Sequence, residues 1–414
     1  MKDYTYLFKN RNFIYLWSSQ ILSQLAINIM NFLLLTRLFS VTNSSIATSF
    51  LWVAYSLPAI LLGPFASAYV DMADKKRLLI VTNFLQFLVI FTYAFTFNYN
   101  IFLAYGVAMA YSFLNQFYVP SESASLPSLI KKRDLPFANG LFFITQQFAV
   151  IAGFGFAGIL SQLLGFQGAL ILCSLFLLTA FVSVSFLPKT RSIDLTVKSL
   201  DKLIFDFFYR IKEGYDFIKA NNRVLFPFLL LLGMQVGLSI IVVNIPLIAQ
   251  EILSIHADKA GVLVIVPAGI GASVGAIYIP NILRKLNIRK KKVVEISLAL
   301  LAVSIFLLSF LFLWLYGTFK FVISLIILIT MGSSFMGVII PTQTFLQEVV
   351  PGGLRGRIFG NFWFLVTVAS VFPVIFSGAL SEFLGVRFLL FIFAAVSFTA
   401  FIFIKKKGDD LIGK

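Results

Sequence analysis

The chain has 414 residues, 59% of them hydrophobic and 12% charged, with a mean hydropathy of +0.95 and a formal net charge of +16. Such a balance excludes a water-soluble core-and-surface domain and makes a bilayer the solvent, with the excess positive charge outside the lipid. A single cysteine, Cys173, excludes an internal disulfide, and a single histidine, His256, excludes a Cys/His metal cluster.

Charged residues punctuate the sequence, so the uncharged blocks between them can be measured against the ~20 residues that a membrane helix needs. In chain order the blocks are 12–36, 38–70, 78–121, 135–188, 224–250, 260–283, 296–319, 321–347, 358–381 and 388–404. The first is too long for the apolar region of a secretory leader, and no cleavage signal follows it. Blocks 78–121 and 135–188 exceed one crossing and carry turn chemistry, at Asn98 to Asn100 and at Ser161 to Gln167. Ten blocks therefore predict twelve transmembrane helices. Strands are excluded because the blocks are apolar throughout and do not alternate. With the N-terminus inside, 29 of the 33 Lys and Arg fall on the cytoplasmic side, and only Arg37, Lys259, Lys320 and Arg387 fall at outer ends. Both termini are thus expected in the cytoplasm. The basic balance then serves topology and anionic inner-leaflet lipids, and no nucleic-acid partner is expected.

Residues 189–223 form the most charged stretch. Within it Leu200, Leu203, Ile204, Phe207, Ile211, Tyr215 and Ile218 recur at helical spacing opposite a charged face, which predicts an amphipathic helix lying on the inner leaflet or packed on its own chain. An internal repeat flanks it: "FAGILSQLLGFQGALIL" from Phe156 aligns without a gap with "FSGALSEFLGVRFLLFI" from Phe376. The expected organisation is an all-α membrane protein of two six-helix bundles: residues 1–188, a cytoplasmic linker at 189–223, and residues 224–414 with a short basic tail.

Twelve helices, a 6+6 repeat and the turn "GPFASAYVDMADKKRLLI" after the second helix together resemble the major facilitator superfamily. Asp71 falls on the acid of that family's G-x-x-x-D-R-x-G-R-R/K signature. Ser67, Met72 and Asp74 depart from its first Gly, its Arg and its second Gly. Four further stretches resemble its macrolide-efflux and enterobactin-exporter-like branch: "LFKNRNFIYLWSSQILSQLA", "VPSESASLPSLIKKRDLPFANGL", "KEGYDFIKANNRVL" and "IIPTQTFLQEVVPGGLRGRIFG". "AVIAGFGFAGIL" resembles the glycine-rich motif of the antiporters, with Phe154 in place of its usual proline. The resemblance implies alternating access driven by proton antiport. It also implies a cytoplasmic gate in which Asp71 approaches Arg355 or Arg357 at the start of the eleventh helix, with Lys75, Lys76 and Arg77 at the anionic leaflet.

Polar side chains at mid-membrane are costly and are read as functional. Gln20, Gln24, Asn28 and Asn31 make one face of the first helix. Tyr111, Asn115 and Tyr118 lie on the fourth, Gln146 on the fifth, Gln235 and Asn244 on the seventh, and Ser333 and Ser334 on the tenth. The family resemblance places helices one, four, seven and ten around a substrate cavity; interhelical hydrogen bonding would use the same residues. Glu122 and Glu348, at the cytoplasmic ends of the fourth and tenth helices, are the acids placed to exchange protons with that cavity. No acid falls at a helix centre, which suits a lipophilic small molecule such as a drug, siderophore or lipid-like metabolite. The absence of a G-x-x-x-x-G-K-[ST] loop argues against ATP-driven pumping, and no enzyme activity, cofactor or metal is expected. The reading is a monomeric, proton-coupled exporter in a bacterial cytoplasmic membrane; an importer, a lipid flippase, or a non-transporting scaffold or sensor remain alternatives.

Overall fold

A backbone in hydrocarbon has no water to bond, so it must satisfy its N–H and C=O groups within each crossing. The computed structural model describes residues 7–131, 135–188, 200–285, 288–310 and 317–411, and among them the chain is helical with no strand. Twelve α-helices follow one another: α1 (Arg11–Thr42), α2 (Ser45–Met72), α3 (Lys75–Thr96), α4 (Leu103–Leu129), α5 (Leu135–Ser185), α6 (Leu200–Ala220), α7 (Asn222–Ile248), α8 (Val266–Lys285), α9 (Lys290–Phe310), α10 (Gly317–Val349), α11 (Gly352–Leu384) and α12 (Val386–Leu411). Ten of them are long and apolar enough to cross a membrane. Of the other two, α6 is the charged linker helix and α4 is diluted by its own Tyr, Ser, Asn, Gln and Glu residues.

These twelve do not map one to one on the twelve expected crossings. The fifth and sixth form the 51-residue α5, broken at Gly165, whose φ of 70° and ψ of 170° are not helical. Gly385, its partner in the sequence repeat, takes φ 83° and ψ 150° and ends α11. Both positions need a residue without Cβ, and the repeat is therefore repeated in backbone conformation. Pro120 and Pro341 lie inside α4 and α10, which run on to Leu129 and Val349. At the quoted turn, Asp74 is the N-cap of α3: its Oδ1 accepts from the N–H groups of Lys76 at 3.0 Å and Arg77 at 3.4 Å. The expected turn at Asn98 to Asn100 is also formed, with Asn100 Oδ1 accepting from Phe102 N at 2.8 Å.

The chain divides into two compact units, Met1–Leu38 with Val53–Phe207, and Phe39–Trp52 with Phe208–Lys414. In the first, Phe13 and Leu16 of α1 meet Leu79 of α3, Leu126 of α4 and Val184 of α5. In the second, Ile218 anchors the end of α6 against Val224 and Phe228 of α7, Leu346 of α10 and Ile358 of α11. Phe205 and Tyr209 of α6 remain exposed.

Arg37, one of the four bases that the charge bias leaves outside, is held in the first unit. Its guanidinium lies 5.3 Å from the Phe97 ring centroid and 5.4 Å from that of Phe166, and Nη2 donates to Asn98 Oδ1 at 3.3 Å. One cation thus ties the end of α1 to the α3–α4 turn and to α5. Replacing it by Ala should cost about 1–2 kcal/mol, seen as a lower thermal midpoint in detergent, and Arg37→Lys should recover less than half because an ammonium cannot stack on two rings. An Arg37→Ala protein that melts like the parent would show the contact to be incidental.

Candidate functional site

The least apolar of the expected membrane helices, α4, places a carboxyl inside the first unit. Glu122 is 5% exposed, and its Oε1 accepts from Tyr118 Oη at 2.8 Å one turn earlier. The Tyr118 hydroxyl lies 3.2 Å from Ser19 Oγ on α1, which accepts from Asn83 Nδ2 of α3 at 3.2 Å; Asn83 Oδ1 accepts from Ser23 Oγ at 3.0 Å. Five side chains on three helices form one continuous hydrogen-bonded chain, all of them buried. Glu122 has no ion pair among the described residues, so the network holds one titratable carboxyl and otherwise neutral hydroxyls and an amide. Uncompensated carboxylates are expensive in such surroundings, and the network is the means by which this one is accommodated.

Unspent hydrogen-bonding capacity lies close by along the same helices. Gln86 is fully buried, one turn beyond Asn83, and among the described residues neither of its amide atoms has a partner; Gln20 Oε1, next to Ser19, and the buried Ser112 Oγ of α4 have none there either. Few buried polar atoms in proteins stay unsatisfied, so these are the groups with hydrogen-bonding capacity to spare on the three helices of the network.

The side chains expected to line a cavity fall into two groups. Tyr111, Tyr118 and Asn244 are buried, and Asn244 is bonded within its own unit to Ser377 at 3.1 Å and Ser381 at 2.7 Å. Gln20 donates to Phe142 O at 2.9 Å, Asn115 is bonded to Tyr55, and Asn28 donates to Gln24 O at 2.7 Å where Gly153 of α5 packs on it. Ser334 is buried, with its hydroxyl unpartnered, and the half-buried Ser333 bonds Thr330 O. Gln24, Asn31 and Gln235 are half-buried and Gln146 is exposed, with no side-chain bond among the described residues. Glu348 is exposed and paired with Lys290. Lys75 is buried at the start of α3, while the side chain of Arg77 is 83% exposed, and half-buried Lys76 sits between them. The side chains of Asp71, Arg355 and Arg357 lie outside the described residues. Ser19, Ser23 and Asn83 were not anticipated. Asn83 and Gln86, one turn apart in an otherwise apolar α3, were the available signal.

A family model described as the Major Facilitator Superfamily matches residues 16–374. YfiS of Bacillus subtilis (strain 168), an uncharacterized MFS-type transporter, is 23% identical over 393 residues, 92% of this chain and 89% of YfiS. YjbB of the same organism, another uncharacterized MFS-type transporter, is 25% identical over 162 residues, 38% of this chain and 40% of YjbB, so the match spans less than half of that relative. The fold is similar to that of the nucleoside transporter NupG, with a TM-score of 0.70 and 16% identity across 95% of this chain and 99% of NupG.

Tyr118→Phe removes the hydroxyl that joins Glu122 to Ser19 and leaves both without that partner. It should cost about 1–3 kcal/mol of stability, whereas Glu122→Gln, whose amide oxygen can still accept from Tyr118, should cost less than about 1 kcal/mol. Thermal unfolding of the two variants and of their double mutant measures the coupling; additive effects would mean that the two groups do not act as one network.

Proposed function

The chain belongs to the major facilitator superfamily, and on that premise we propose that it exports a lipophilic small molecule by alternating access, coupled to protons through Glu122. Membrane transport is what the family supports; substrate, direction and coupling are the further reading. A single observation carries the coupling: Glu122 is a buried carboxyl, without an ion pair among the described residues, held by a chain of neutral hydrogen-bonding groups. Of the two acids considered, Glu348 is the poorer carrier because it is exposed and paired with Lys290. The half-buried amides Gln24, Asn31 and Gln235 are the groups best able to bond a ligand, and amides with an apolar surround suit a neutral or weakly charged amphiphile. Asp71 with Arg355 or Arg357 would close the cytoplasmic side, and a bacterial cytoplasmic membrane is the location that fits the Lys and Arg distribution.

Reconstitution tests the reading directly. Proteoliposomes with an imposed pH gradient should accumulate a compound from a panel of lipophilic drugs, siderophores and lipid-like metabolites. Glu122→Gln should reduce gradient-driven accumulation at least tenfold while substrate counterflow persists, and Glu348→Gln should retain most of it (about half or more). Transport indifferent to the pH gradient in the parent protein would sink the proton assignment whatever the variants do.

A further inference from the structure

Two exposed acids lie near the helix ends that the charge bias places outside, and both serve as helix caps. Glu251 Oε2 accepts from Val386 N, at the start of α12, at 3.3 Å. Glu382, in the last turn of α11, reaches much further along the chain: its Oε2 accepts from Ser44 Oγ at 2.6 Å and from Ile46 N at 3.2 Å, at the N-terminus of α2. Ser44 is itself the local cap, its Oγ accepting from Ala47 N at 3.2 Å. One turn before Glu382, Gly378 lies so close to α2 that a Cβ there would come 2.6 Å from Ser45 O and 2.1 Å from Ser49 Oγ. Ser45 and Ser49 are buried, and the tip of the α1–α2 hairpin, Phe39–Trp52, groups with the second unit although the rest of both helices groups with the first.

We propose that Glu382 is a releasable latch that holds the hairpin tip against α11 and lets go when this end of the transporter opens. The proposal rests on the alternating-access reading. A carboxylate at the N-terminus of a 28-residue helix gains from the helix dipole and from two hydrogen bonds, yet it sits at an exposed edge where water can replace each bond. Beneath it, Gly378 meets two serines, a flat seam without interlocking bulk that can part and close without repacking. Strong enough to bias an equilibrium and weak enough to break in every cycle, the contact has the properties that a gate needs.

Accessibility of the seam is the measurement. With Cys173 replaced by Ser and a reporter introduced by Ser45→Cys, which is 2% exposed in the closed seam, the rate of labelling by N-ethylmaleimide in proteoliposomes reports opening from either side. Glu382→Gln should raise that rate about three- to tenfold, Ser44→Ala should raise it in the same direction, and the double variant should add little to either. Should Glu382→Gln fold poorly by size exclusion, Ser44→Ala makes the same test. Gly378→Leu, which wedges the seam directly, is the control for movement. If it raises labelling while folded Glu382→Gln does not, the seam opens but Glu382 is not its latch. If no variant changes the rate, the seam does not part at all, and alternating access at this end is wrong.

Discussion

Everything in this protein depends on the cost of an unsatisfied polar group away from water. In hydrocarbon that cost is several kcal/mol per group, so the backbone has little choice but to be helical, and each polar side chain must either find a partner or have a reason for lacking one. Among the described residues, helix ends are held by caps: Asp74 at α3, Asn100 before α4, Glu251 at α12 and Glu382 at α2. Glycine makes two further reversals, at Gly165 and at Gly385, the latter beside the Glu251 cap. Together these few devices position the helices that carry the site.

That constraint is also why so much of the fold was legible. An uncharged block of the right length has one stable answer in a bilayer, and the blocks correspond to the helices with modest shifts at their ends. Prolines do not stop these helices: α4 and α10 run through Pro120 and Pro341, because in a packed membrane bundle neighbouring groups can take over the freed carbonyl. The reach of the α1–α2 tip across to Glu382 had no sequence signal. A contact between residues 338 apart depends on how helices meet, and no local pattern encodes it.

The site was legible in residue type and less so in role. Amides and hydroxyls on α1 and α4 stood out, yet their spacing could not separate those that bond a neighbouring helix from those that remain for a ligand. Asn28 and Gln24 share a face, but Asn28 lies under Gly153 and donates to Gln24 O, while the Gln24 side chain is bonded to nothing described. Asn244 looked like cavity lining and is consumed by Ser377 and Ser381. Asn83 was not anticipated: another helix holds its amide through Ser19 and Ser23, whereas Gln86, one turn on, finds no partner among the described residues.

Four glutamates illustrate how far environment outweighs identity. Glu251 and Glu382 are exposed and cap helices, and Glu348 is exposed and pairs with Lys290. For these three, water or a base is at hand to screen the charge. Glu122 is buried with no ion pair among the described residues, only Tyr118 and the neutral groups behind it. Its two protonation states therefore make unequal demands on the same hydrogen-bonded chain, and that inequality spans α1, α3 and α4 at once. A change at this carboxyl is therefore felt by three helices through one hydrogen-bonded chain.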